Sequence, residues 1–453
     1  MKIFKGNIFS APEFGELIYG ENQLIVVNDE GYIESIYDPE KDKEQYQHIL
    51  SIAQEDDSLV EFDSQHVLLP GFIDLHIHAP QWAQAGIALD EPLNVWLDEC
   101  TFPLEGKYQD VNFATLVYQD LVRNLLAHGT TTALYFATIH REASYKLAEI
   151  CAELGQRGLI GKVVMDKKDS CPDYYRDETT EVALAETELF IQQVQTLNED
   201  TYQGVYPVVT PRFIPSCTDE ALKGLGELAQ KYDVHVQSHC SEGQWEHDTV
   251  FERYGKSDTE ALRDFNLLGK KSVMAHAPYL SDHDCQIYHE TQTAIAHCPI
   301  SNAYFANGVL PVKSFHQKGV EIGLGSDISG GFSPSLYDNL KQAVMSSRML
   351  EDGVDVQLPF ETRGKKDSRI TMTEAFYLAT KAGGRALDLP IGAFEPGMAC
   401  DFQVIDLQAT THPLPDFGVF NEPEQLLHRI LYLANTENIK EVYVQSKLVH
   451  SRG

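Results

Sequence analysis

The sequence predicts an α/β protein: a (β/α)8 TIM-type barrel with a small β-sandwich domain built from both chain ends. Three observations lead to this fold. Between residues 67 and 388, eight short apolar runs alternate with longer amphipathic stretches, as βα units do. Outside that region the chain alternates apolar and polar residues, the habit of half-exposed strands. Residues able to bind metal ions end several of the apolar runs, and a barrel of this type gathers its strand ends on one face.

The N-terminal part, 1–66, contains the strand-like runs LIVVND and GYIESIYD. Between 38 and 58 it turns polar, rich in Asp, Glu, Lys and Gln, which predicts a loop or a short helix. The barrel, 67–388, takes its strands from VLLPGFIDLHI (67–77) and from 130–138, 158–166, 205–211, 234–239, 272–277, 293–298 and 320–327. Helical stretches such as ALKGLGELAQKY (221–232) separate them. The C-terminal part, 389–453, returns to strand-like runs in GAFEPGMACDFQVIDL and IKEVYVQSKLVHS and completes the sandwich.

Composition narrows the function. The 453 residues carry 35 basic and 68 acidic side chains, a formal net charge of −33, with no long basic cluster. Such a chain repels polyanions, so nucleic acid is excluded as a partner, while a small neutral heterocycle is not. No run approaches the roughly 18 apolar residues that a membrane span needs. The first residues, MKIFKGNIFSAPEFGE, lack a secretory h-region, so a cytoplasmic protein is expected. The eight cysteines form no CxxC pair and read as reduced core residues, leaving nitrogen and oxygen to hold any metal.

Those donors have a pattern. His76 and His78 stand one residue apart at the end of the first barrel run, so strand alternation puts both on one face. His239, His276 and Asp327 end the fifth, sixth and eighth runs. Imidazole nitrogens with a carboxylate suit a zinc-like divalent ion, and an open coordination position makes such a site catalytic.

The runs PGFIDLHIH, SHCSE, MAHAPYLS, AHCPISN and IGLGSDISGG resemble the amidohydrolase superfamily, in its mononuclear-metal deaminase branch. More narrowly, HAPQWAQAGIALDEPLNVWLDECTFPLE (78–105) and VVTPRFIPSCTDEAL (208–222) look like the guanine deaminase family. The resemblance implies hydrolysis of guanine to xanthine and ammonia by a metal-activated water, in purine catabolism or salvage. It makes His76, His78, His239 and Asp327 ligands of one Zn2+ or iron ion per subunit. His276 becomes a further ligand or the partner of the bound water. Strand four ends in VVTPRF without the lysine that bridges two metals in other members, which favours a single ion. Glu242 matches the proton carrier, Asp327 takes the first proton, and a homodimer is expected.

Substrate choice falls to the loops. Arg212 follows strand four, and its guanidinium is expected to enter the pocket, where guanine O6 and N7 can accept a bidentate pair, the alternative being a surface or ion-paired arginine. Adenine puts an amino donor at that edge, a mismatch that can cost orders of magnitude. Gln81 can both donate and accept at a purine edge. Phe213 and Trp82 are candidates to stack on a flat ring, Trp82 equally to pack in the core. His297 reads as structural, His128 as lying at the wrong end of the barrel, and Cys240 as facing away from the pocket. Glycines 323, 325, 330 and 331 are expected to permit tight turns around Asp327. The alternatives are another amino-heterocycle (oxidised purine, pterin or triazine) on the same site, or a non-catalytic scaffold.

Overall fold

The computed structural model describes residues 2–306 and 308–452. Five strands precede the barrel: Lys2–Ser10 (β1), Ile18–Val27 (β2), Ile33–Tyr37 (β3), Leu59–Glu61 (β4) and His66–Pro70 (β5). The eight expected barrel strands follow as Phe72–His78 (β6), Thr130–Phe136 (β7), Arg157–Val164 (β8), Val205–Pro211 (β9), His235–Cys240 (β10), Ser272–His276 (β11), Ala294–His297 (β12) and Glu321–Leu324 (β13). Phe402–Asp406 (β14), Ile439–Val444 (β15) and Lys447–Ser451 (β16) complete the chain.

The two chain ends share one mixed sheet in the order β16-β15-β14-β5-β1-β2-β3, with β4 beside β1. Its strands alternate as the sequence pattern requires. Phe4, Ile25 and Val27 join one apolar cluster, while Ile3, Leu24 and Val26 join another. The polar stretch 38–58 resolves into a helix, Lys43–Glu55, that buries Tyr46 and Ala53 in the second cluster and leaves its charges outside.

The run read as one strand over 67–77 is in fact two. It divides at Gly71, where a Cβ would lie 2.2 Å from Thr131 Oγ1. The first piece, β5, pairs with β14 in the sheet of the chain ends, and the second, β6, begins the barrel. Both are fully buried, so neither shows the alternation that would have separated them.

The barrel strands run parallel in sequence order from β6 to β13. Amphipathic helices cover them. Asp219–Tyr232 is capped by the Thr218 hydroxyl, which accepts the Ala221 N–H, and buries Leu222, Leu225 and Ala229. The last run leaves strand geometry after Leu324, and Asp327 adopts a left-handed backbone (φ 52°). There the ring closes: Asp327 N–H donates to the His76 carbonyl at 2.8 Å, and His78 N–H to the Ile328 carbonyl at 2.7 Å.

Candidate active site

The hydrogen bonds that close the barrel also set its chemistry. On β6, His76 and His78 share a side, whereas Ile77 between them enters an apolar cluster with Tyr135 and Ala143. His239 is the penultimate residue of β10, and His276 ends β11 with a left-handed backbone (φ 72°). His76 Nε2 stands 3.1 Å from Asp327 Oδ1, and His78 Nε2 2.9 Å from His239 Nε2. His276 Nε2 lies 4.0 Å from Asp327 Oδ2 and 3.8 Å from Glu242 Oε1. Five groups spread over 252 residues therefore meet at one point.

Two of these rings are held in a defined tautomer. His239 Nδ1 is 2.5 Å from the Arg212 carbonyl and His276 Nδ1 is 2.9 Å from Asn302 Oδ1. Each Nδ1 must donate to its oxygen, so that in the neutral ring Nε2 carries the lone pair. His76 Nε2 and His276 Nε2 are buried without a hydrogen-bond partner. Burial holds His76 below its ordinary pKa, and His78 and His239 well below theirs, with neighbouring rings adding to the effect in the latter two. For Asp327, burial pushes upward, but the His76 and His276 rings and the Ser301 hydroxyl together outweigh it and hold the carboxyl below its ordinary range. Neutral imidazoles around a carboxylate are the protonation states a divalent ion requires, so the residues fit such an ion. Cys298 also approaches His76 and His276, but burial keeps its thiol far above the usual range and protonated.

Four members of the cluster, His78, His239, His276 and Asp327, line a cavity of about 1210 Å³. Gln81, Arg212, Phe213 and Glu242 line it as well. Glu242 is raised in pKa by burial, an effect that His276 partly offsets. Its backbone N–H donates to the buried Glu246 carboxylate at 2.7 Å. Phe213 lies edge-on to His239, with ring centres 6.4 Å apart.

Arg212 lines the cavity as expected, but it is not free. It donates to both oxygens of Glu105, at 2.7 and 3.3 Å, and Gln81 Nε2 donates to the same carboxylate at 2.8 Å. Trp82 turns away from the cavity: its indole N–H donates to Asp120 at 2.7 Å and its ring packs on an apolar cluster. His297 is buried outside the ligand-type groups among the described residues, and His128 ends the helix Val111–Ala127. Cys240 sits in the apolar cluster that contains Leu262. The four glycines around Asp327 serve space rather than left-handed turns, since none has a positive φ. A Cβ on Gly325 would lie 2.8 Å from His76 Cβ, and one on Gly331 2.1 Å from the Ser326 carbonyl.

Comparison with known proteins gives the family. The model of the amidohydrolase family matches residues 67–449. The chain belongs to the amidohydrolase family. Within it, guanine deaminase of Dictyostelium discoideum is 37% identical, covering 99% of this chain and 98% of its own. The human guanine deaminase is 41% identical over 86% of this chain and 84% of its own. A crystal structure of guanine deaminase from C. acetobutylicum with bound guanine superimposes with a TM-score of 0.86 at 32% identity, covering 99% of both chains.

Four residues around the site escape a reading of the sequence: Glu105, Asn302, Glu246 and Asp74. Glu105 and Asn302 lie inside the runs that carry the family resemblance, but nothing local says that they face Arg212 and His276. Asp74, two residues before His76, accepts the N–H groups of Ser326 (2.9 Å) and His76 (3.2 Å) and ties the two edges of the closing ring. Its carboxyl is pushed up to about 7 by burial.

Proposed function

We propose that the chain is a guanine deaminase, converting guanine and water to xanthine and ammonia. The observation that carries this reading is one cavity that joins the imidazole–carboxylate cluster to Gln81, Arg212 and Phe213. Near-full-length likeness to guanine deaminases supports it.

His76, His78, His239, His276 and Asp327 would hold one divalent ion, zinc or iron. When bound, such an ion makes a water acidic enough to ionise near neutral pH. The remaining work belongs to this chain's own residues. Arg212 and Gln81 hold the polar edges of the purine, and Phe213 packs beside its ring. The water oxygen forms a bond to C2 and the C2–N bond to the amino group breaks. One water proton ends on ring N3 and the other leaves with ammonia. Asp327 accepts a proton from the attacking water, and Glu242, whose buried carboxyl binds protons readily, delivers one to the ring nitrogen. His276, held by Asn302, hydrogen-bonds or ligates at the same point.

The same reading divides the chain into 1–66, a barrel of 67–388 and 389–453, with β5 crossing the first boundary. It takes the protein as a cytoplasmic homodimer without nucleic-acid or membrane partners. Among the described residues no helix is long and apolar enough to cross a membrane. Light scattering checks the dimer. Release of xanthine and ammonia from guanine, abolished by a chelator and restored by zinc, is the result expected. Purified, metal-loaded protein that leaves guanine untouched rejects the proposal.

A further inference from the structure

We propose that Glu105 is a positioning residue that sets the hydrogen-bond polarity of Gln81 and Arg212 towards the substrate, an inference that rests on the guanine reading above. Glu105 ends the single helical turn Phe102–Glu105 and is fully buried. It stands behind the cavity wall, whereas both of its partners line the cavity. An ionised carboxylate only accepts hydrogen bonds. The Gln81 amide must therefore turn its NH2 to Glu105, at 2.8 Å. Its carbonyl oxygen is left facing the other way, where it accepts the Ser329 N–H at 3.3 Å.

Arg212 is constrained in the same manner. Two of its five N–H groups are spent on Glu105, and its guanidinium lies over the Phe102 ring, 5.2 Å from the ring centre. The ligand thus meets an acceptor from Gln81 and the unspent donors of Arg212. A ring N–H next to an oxo group complements that pattern, and guanine carries both in N1–H and O6. A ring with a bare nitrogen beside an amino group, as in adenine, opposes acceptor with acceptor and donor with donor. Desolvated mismatches of this kind produce large discrimination. An uncharged amide at position 105 keeps the volume but offers donors as well as an acceptor, so of the two contacts that orient Gln81 only the longer one, from the Ser329 N–H, still demands the same polarity.

The test compares the metal-loaded wild type with Glu105→Gln, Glu105→Asp, Gln81→Ala and the double variant Gln81→Ala/Glu105→Gln. Steady-state kinetics are measured on guanine and adenine, with metal content determined for each protein. Glu105→Gln is expected to raise KM for guanine about tenfold or more, with a smaller fall in kcat and unchanged metal content. The preference for guanine over adenine in kcat/KM narrows with it, and Glu105→Asp, which keeps the acceptor polarity, restores part of both. In the double variant the combined loss falls short of the product of the single losses by about threefold or more. An unchanged KM and preference in Glu105→Gln, or losses that simply multiply, overturn the inference. So does equal damage in Glu105→Asp and Glu105→Gln accompanied by metal loss, which marks a purely structural ion pair. A wild type inert towards guanine instead rejects the underlying reading.

Discussion

An imidazole is useful to a cation only when its lone pair is free and aimed, and at this scale the site is decided by second partners. The Arg212 carbonyl and Asn302 fix two of the rings, and the residue behind each ring matters as much as the ring itself. Glu242 stands at the edge of the cluster, 3.8 Å from His276, and is proposed to move a proton and not to hold the ion. Glu242→Gln is accordingly expected to lower kcat by about 10²–10⁴, the usual yield of a positioned acid–base group, while metal content stays constant. Kinetics alongside metal analysis of the variant check this, and parallel loss of metal contradicts it. His297 makes a pH prediction. Burial, and then His276, depress its pKa to about 3, so the folded protein keeps it neutral where the unfolded chain, near 6.5, binds a proton. The unfolded state holds the extra proton, so this group's stabilising effect is complete above pH 6.5 and drains away down to about pH 3. The slope is about 1.4 kcal/mol per pH unit within that window. His297→Gln should therefore lose less stability than wild type between pH 7 and 5, read from urea midpoints at both pH values.

Among the elements, the strand ends carry the functional argument, and their glycines act by absence of volume. Gly325 leaves the last strand beside β6, and a methyl group there meets His76 Cβ at 2.8 Å and Cys298 Sγ at 3.0 Å. Neither neighbour is the far tip of a flexible chain. Gly325→Ala is expected to cost about 1–3 kcal/mol, as overpacking does, and to lower bound metal by displacing His76. Denaturation and metal stoichiometry measure the two effects separately. The eight barrel strands were legible in the sequence because burial on both faces leaves continuous apolar runs bounded by turns. That same uniformity hid the break at Gly71, since β5 and β6 are apolar throughout and only their pairing partners differ. Helix Lys43–Glu55 was harder to read, because only Tyr46 and Ala53 of its thirteen residues are buried.

For the molecule as a whole, the sheet of the chain ends is joined to the barrel away from the site. Arg157, the first residue of β8, is buried and donates to Asp401 at the start of the C-terminal strand segment, to Gln445 at 3.0 Å and to the Gln203 carbonyl at 2.7 Å. Both members of the ion pair are almost fully covered. Removing one leaves the other charged and unpaired, so Asp401→Ala is expected to cost about 3–5 kcal/mol. Urea unfolding reports that loss, and the metal content of the surviving folded protein should be unaffected because Arg157 lies at the opposite end of its strand from the cluster.

By itself the sequence determined the order and type of the barrel elements and which residues would stand at or just beyond the strand ends, although Asp327 falls three residues past Leu324, because periodicity and strand-end chemistry are local properties of a chain. His76, His78, His239, His276 and Asp327 could be named on that basis, as could Gln81, Arg212 and Glu242 from the loop runs. The tertiary structure alone decided how those side chains are used. Glu105 meets Arg212 across 107 residues, Asn302 meets His276, and Trp82 turns out towards Asp120 instead of into the cavity. Such pairings depend on closure of the ring, which brings distant segments within hydrogen-bond reach, and the balance of burial against partnership that sets each charge exists only once that has happened.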